Sequence, residues 1–179
     1  MKYQNYMKVF VFLAFFCSWS FMAQASIKVG DVAPNFSLKD QKGQTVTLSQ
    51  FKGQKSVVLY FYPKDDTPGC TKEACSFRDQ YDVFKKAGAE VIGVSSDDQA
   101  SHEQFAAKYK LPFHILSDEK GELRKAYGVS STLGLLPGRV TYVIDKAGIV
   151  RNSFSSQMFP QKHIDESLKI LESLNKTPY

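Results

Sequence analysis

The chain has 179 residues, with 23 Lys and Arg against 18 Asp and Glu and a formal net charge of +5. Hydrophobic residues make up 43% and aromatics 13%, enough for one domain with a sizeable core. The lysines are dispersed and form no dense basic run, which speaks against a nucleic-acid surface.

Residues 1–25 read as an export signal. Lys2 and Lys8 form a basic start, Val9 to Met22 an apolar stretch, and Ala23-Gln24-Ala25 a small-residue cleavage site. The apolar stretch is shorter than the roughly 20 residues that cross a bilayer, so cleavage is expected rather than anchoring, with no stable membrane association afterwards. The leader has no arginine, unlike organelle transit peptides. A bacterial periplasm is therefore the expected destination. The mature domain would be residues 26–179. Loss of Lys2 and Lys8 lowers its net charge from +5 to +3, and loss of Cys17 leaves Cys70 and Cys75 as its cysteines.

Phe36 to Lys39 and Thr45 to Thr47 read as short strands around the turn residues Asp40 to Gly43. Ser56 to Tyr62 is continuously apolar, rich in β-branched and aromatic residues and stopped by Pro63, the pattern of a buried strand. A helix follows, with Ala74, Phe77, Tyr81 and Phe84 at three- and four-residue spacing, ending near Gly88. Glu90 to Ser95 is a second buried strand, Ala100 to Tyr109 a helix, His114 to Ser117 a short strand, and Gly121 to Tyr127 a short helix. Gly128 to Gly138 is loop by composition. Val140 to Ile144 and Ile149 to Phe154 flank the turn Asp145-Lys146-Ala147-Gly148, and a last helix places Ile164, Leu168, Leu171 and Leu174 on one face. Strands alternating with helices, then a closing hairpin and helix, describe an α/β thioredoxin-like fold: a central mixed sheet flanked by helices, with an N-terminal β extension.

The chemistry is expected between Pro63 and Cys75. Thr67 suits an N-cap and Pro68 the first helical position, which puts Cys70 third in the helix, where backbone N–H groups lack intrahelical partners. Those donors and the helix dipole favour negative charge on the sulfur, a nucleophile's setting. In a regular helix the Cα atoms of Cys70 and Cys75 lie roughly 8 to 9 Å apart, whereas a disulfide needs about 4.4 to 6.8 Å. A bond between them requires the first turns to unwind. Glu73 reads as an exposed helix residue outside the site.

Three other readings compete. A permanent Cys70–Cys75 staple would close so short a loop that it stabilises little. A thiol-disulfide oxidoreductase uses C-x-x-C rather than the spacing here. A zinc site would need both cysteines with two of His102, His114 and His163, which show no ligand spacing; His102 and His163 read as solvated helix residues. The glycines fall at turns and form no phosphate-binding loop, so no cofactor is implied.

The residues Pro63, Thr67 and Cys70 in P-x-x-x-T-x-x-C, the second cysteine Cys75, and Pro137-Gly138-Arg139-Val140-Thr141-Tyr142-Val143-Ile144-Asp145 resemble the peroxiredoxins, specifically the peroxiredoxin Q or bacterioferritin-comigratory-protein group. The resemblance spans nearly all of Val32 to Leu174. Lys162-His163-Ile164-Asp165-Glu166 also resembles the plant and cyanobacterial branch. It implies that Cys70 is the peroxidatic cysteine, attacking a hydroperoxide to become a sulfenic acid, and that Cys75 resolves it as an intramolecular disulfide. It implies a thioredoxin-like reductant and leaves no chemical need for a dimer, so a monomer is expected. Arg139 would place a fixed charge and a planar donor set beside Cys70, Thr67 would hold a peroxide oxygen through its hydroxyl, and Pro63 would shield the sulfur with a ring that lacks an N–H. Taken singly, Thr67 is a helix cap, Pro63 a strand stop and Arg139 a partner for a surface acid. Their joint occurrence around Cys70 favours the functional reading.

Overall fold

The computed structural model describes residues 27–130 and 138–176. The leader, residues 1–25, and residues 131–137 of the Gly128 to Gly138 loop lie outside them. In chain order the elements are β1 (Ser37–Lys39), β2 (Thr45–Thr47), a single 3-10 turn (Leu48–Phe51), β3 (Ser56–Phe61), α1 (Pro68–Asp79), α2 (Tyr81–Lys86), β4 (Ala89–Ser95), α3 (Gln99–Tyr109), β5 (His114–Ser117), α4 (Glu122–Ala126), β6 (Val140–Ile144), β7 (Val150–Ser155) and α5 (Pro160–Lys176).

β1 and β2 pair as a separate antiparallel hairpin, the N-terminal extension. The main sheet has the order β5-β4-β3-β6-β7. β3 runs parallel to β4 and β4 to β5, joined through helices, while β6 and β7 are antiparallel additions. This is the mixed sheet of a thioredoxin-like fold.

Every residue of β3 and of β4 is buried, as expected for strands covered on both faces. Alternation along β3 divides the core in two. Val57, Leu59 and Phe61 pack with Phe36, Leu48, Phe51, Leu123, Tyr127 and Tyr142. Val58, Tyr60 and Tyr62 face the other way, against Cys70, Ala74 and Phe77 of α1, Phe84 of α2, Phe105 of α3, and Ile164 and Leu171 of α5. Each fully buried side chain of this size contributes roughly 1.5–3 kcal/mol. Tyr60 stacks on Phe77 with ring centroids 4.6 Å apart and planes at 24°, which fixes the second half of α1 to the sheet.

The single helix expected from Pro68 to Gly88 is two helices. Gln80, at φ −102° and ψ 4°, leaves the helical conformation and separates α1 from α2. On either side of the break the chain is tied in different directions. Arg78 Nη1 donates to the Tyr109 carbonyl at 2.8 Å, and the Tyr81 hydroxyl donates to Glu90 Oε1 at 2.5 Å. The three- and four-residue spacing runs through the break because Phe77 and Phe84 reach the same core from both helices.

Candidate active site

Cys70 lies at the third position of α1, directly after the strand and loop that the sequence placed before it. It is 2% exposed, and Cys75, on the same helix, is half-buried; both are free thiols. Arg139 arrives from the residue before β6 and is 4% exposed. Its Nη2 donates to Cys70 Sγ at 3.2 Å. Two glycines make this approach possible. A Cβ on Gly69 would stand 3.2 Å from Arg139 Nη2, and one on Gly138 would stand 2.3 Å from the Ser130 carbonyl oxygen.

Thr67 occupies the N-cap position with extended backbone angles, but its hydroxyl makes no cap bond and donates to the Lys64 carbonyl at 3.1 Å. The hydroxyl oxygen retains lone pairs for another donor. Pro63 is half-buried at the end of β3. The loop between Pro63 and Thr67 is held by Asp65, which accepts from the Tyr62 hydroxyl at 2.7 Å and from Ser101 Oγ at 2.8 Å. His102 is fully buried rather than solvated: its Nδ1 faces Asp65 Oδ2 at 2.8 Å and its Nε2 faces the Leu116 carbonyl at 3.2 Å. It precedes Phe105 by three residues, so helical spacing already put it on the inner face of α3.

Glu73 corrects the sequence reading most sharply. It is 0% exposed, and its Oε2 accepts from Arg139 Nη1. One guanidinium therefore spans Cys70 and Glu73. Burial pushes the Glu73 carboxyl up to about 7, although Arg139 beside it pulls the other way. Burial also works against the Arg139 charge, but Glu73 and Cys70 outweigh it and raise its pKa above the ordinary value. The sequence signal was available: Glu73 is three residues after Cys70 and four before Phe77, on the buried stripe of α1.

His163 is also fully buried, not solvated. Its Nε2 lies 2.9 Å from the Ser156 carbonyl, which can only accept, so Nε2 carries the proton and Nδ1 accepts from Thr141 Oγ1 at 2.8 Å. Nδ1 is 3.6 Å from Glu73 Oε1. Burial holds the imidazole down at about 4, so it is neutral at neutral pH. Its i, i+4 row with Ser167 and Leu171 marks the inner face of α5.

Arg124 of α4 is a further residue that the sequence did not single out. Its Nη1 donates to the Gly138 carbonyl at 2.8 Å and its Nη2 to the Tyr62 carbonyl at 2.7 Å. It thus braces the two segments that carry Arg139 and Pro63. Near the second cysteine, the Arg78 guanidinium is held charged by Asp79 and by the Cys75 sulfur beside it. The three histidines are engaged with different partners, His114 with Asp40 at 2.9 Å, and are not brought together.

Glu73 and His163 give stability opposing pH slopes. A neutral His163 is preferred in the fold, so its contribution is complete above its ordinary 6.5 and is lost as pH falls toward 4. A neutral Glu73 is likewise preferred, so its contribution is complete below its ordinary 4.5 and is lost as pH rises through about 7. Each slope approaches about 1.4 kcal/mol per pH unit. Relative to the parent, His163→Asn should gain about 2 to 3 kcal/mol on acidification from 6.5 to 4.5, and Glu73→Gln should lose a similar amount. Urea unfolding across this range checks it; parallel curves for parent and variants would refute it.

A thiol at a helix start, buried under an arginine, is the arrangement that comparison with known proteins then places in a family. The AhpC/TSA family model matches residues 29–153. The chain belongs to the AhpC/TSA family. It is 62% identical over 149 residues to chloroplastic peroxiredoxin Q of Triticum aestivum, covering 83% of this chain and 68% of that protein. It is 59% identical over 151 residues to chloroplastic peroxiredoxin Q of Populus jackii, covering 84% and 70%. Among solved structures, the peroxidoxin BcpB of Mycobacterium tuberculosis matches with TM-score 0.77 and 37% identity, over 83% of this chain and 98% of that one. A cysteine-to-serine variant of Xylella fastidiosa PrxQ matches with TM-score 0.77 and 30% identity, over 84% and 99%. The chain is thus a peroxiredoxin of the peroxiredoxin Q type, a thiol-dependent peroxidase. The same relatives overturn the expectation of a bacterial periplasm, because the similar curated proteins are plastid enzymes. That expectation rested on a short apolar run and the absence of arginine, a composition test that does not read the destination.

Proposed function

We propose that this peroxidase works through a Cys70 sulfenic acid resolved by Cys75. The observation that supports the reading is the 3.2 Å contact from Arg139 Nη2 to a buried Cys70 Sγ at the start of α1. The Cys70 thiolate attacks the terminal oxygen of a hydroperoxide, the S–O bond forms as the O–O bond breaks, and the leaving oxygen takes up a proton to become water or an alcohol. Arg139 and the free N–H groups of the helix start stabilise the charge moving onto that oxygen. Thr67 positions the peroxide and Pro63 limits water at the sulfur. The Cys75 thiol then attacks the sulfenic sulfur, forming the disulfide and releasing water. A thioredoxin-like dithiol reduces the disulfide and is itself oxidised.

In this reading the enzyme acts as a monomer on hydrogen peroxide and organic hydroperoxides, without a cofactor. Residues 1–25 are a removable targeting segment and residues 26–179 the catalytic unit; the plastid is the compartment to which the relatives point. The test is a time course: one equivalent of hydrogen peroxide on reduced protein, alkylation quench, and mass mapping of both cysteines. Rapid loss of both thiols into one Cys70–Cys75 bond, absent in Cys70→Ser, is expected. Oxidation at the rate of free cysteine would reject the assignment.

A further inference from the structure

We infer that the buried row Cys70, Arg139 and Glu73 holds one negative charge at a time, Glu73 carrying a proton while Cys70 is a thiolate and giving it up as Cys70 becomes a neutral sulfenic acid. This rests on Cys70 being the peroxidatic cysteine and assigns to Glu73 a positioning role exerted through Arg139.

The geometry carries it. Arg139 offers one positive charge to two acidic groups, Nη1 to Glu73 and Nη2 to Cys70, all three nearly or wholly buried. Two anions against one cation in a desolvated site would leave an uncompensated buried charge, which is costly. Glu73 Oε1 has no hydrogen-bond partner among the described residues. An ionised carboxylate is poorly served by such a site. Protonation removes that uncompensated charge, and Oε1 then stands 3.6 Å from a neutral His163 Nδ1 whose lone pair is taken by the Thr141 hydroxyl.

Among the described residues, the surrounding groups supply no second cation to Glu73. From α5, His163 is neutral, its Nδ1 receiving the Thr141 hydroxyl. From β3, burial holds the Tyr60 phenol well above its ordinary pKa, so it stays neutral. From α4, Arg124 has its two terminal nitrogens on backbone carbonyls. The upward displacement of the Glu73 carboxyl to about 7 agrees with a proton held there near neutrality.

The step then balances within the site. Cys70 thiolate, protonated Glu73 and a hydroperoxide become Cys70 sulfenic acid, ionised Glu73 and an alcohol or water. One S–O bond forms and one O–O bond breaks, sulfur loses two electrons and the peroxide gains them, and the proton lost by Glu73 equals the one the leaving oxygen ends with. When the dithiol donor later reduces the disulfide, the proton of the regenerated Cys70 thiol returns to Glu73.

The experiment is infrared difference spectroscopy on the full chain carrying Cys75→Ser, so that the sulfenic acid persists, at about pH 6, below the Glu73 value of about 7. Hydrogen peroxide should abolish one protonated-carboxyl stretch per sulfenic acid formed, and that loss should be missing when Glu73→Gln is added. A pH-indicator dye gives an independent reading: the parent should take up almost no solvent proton per sulfenic acid, and the Glu73→Gln protein about one. Stoichiometric sulfenic acid with an unchanged carboxyl region would overturn this inference while leaving the peroxidase mechanism standing. No sulfenic acid at Cys70, as read by a sulfenic-specific label, would overturn both.

Discussion

Replacing Arg139 with methionine should slow oxidation of Cys70 by hydrogen peroxide about 100- to 1,000-fold, the scale of losing one preorganised donor to a developing anion. Methionine keeps much of the apolar stem but removes both the charge and the Nη2 contact at 3.2 Å from Sγ. The fold should tolerate the change, because burial already raises the Glu73 carboxyl to about 7, and losing Arg139, which pulls it down, leaves the neutral form more favoured still. Arg139→Lys should fall between parent and methionine. A single ammonium cannot reach Glu73 and Cys70 together as the two arms of the guanidinium do. Stopped-flow measurement of thiol loss separates the three proteins. A methionine variant within a few-fold of the parent would show that the helix start alone activates the sulfur.

Oxidation to the disulfide should strip amide-exchange protection from the first half of α1. Both cysteines lie in the continuous helix Pro68–Asp79, which separates their Cα atoms by roughly 8 to 9 Å. The bond tolerates about 4.4 to 6.8 Å, so the backbone hydrogen bonds between them must break. The opening also removes Cys70 from the core and from Arg139. Hydrogen exchange on reduced and oxidised protein should show residues 71–76 slow in the first and fast in the second, with α5 and β3 unchanged. Equal protection in both states would mean that the two sulfurs bond without local unfolding or do not bond at all.

The sheet and most helices were legible because their signals are strong and local. The apolar run ending at Pro63 could only be a buried strand, and Asp145-Lys146-Ala147-Gly148 lies between two strands as a hairpin turn should. The break at Gln80 was hidden because buried residues on both sides keep helical spacing. Around Cys70 the motif pointed to Arg139, which does contact the sulfur, but the capping bond expected of Thr67 is not made and the burial of Glu73 did not follow from the motif. A glutamate on a helix reads as solvated unless its row is compared with Cys70 and Phe77. The sequence similarly could not tell that Arg124, 15 residues before Arg139, braces the same site through backbone carbonyls, since such contacts depend on tertiary folding and leave no side-chain pattern.

If the proposed disulfide forms by unwinding α1, the stacking of Phe77 on Tyr60 sets a stop to that unwinding. Two residues beyond Cys75, it pins α1 to a strand that is buried along its whole length. Unzipping that begins at Pro68 can run through the second cysteine but meets an anchored ring just after it. The chain between Pro68 and Phe77 then behaves as a short tether of fixed reach, clamped at one end, so the two sulfurs search a small volume rather than that of a free loop. Loosening the clamp, by shrinking either ring, should widen that volume and make closure of the ring slower even though opening becomes easier.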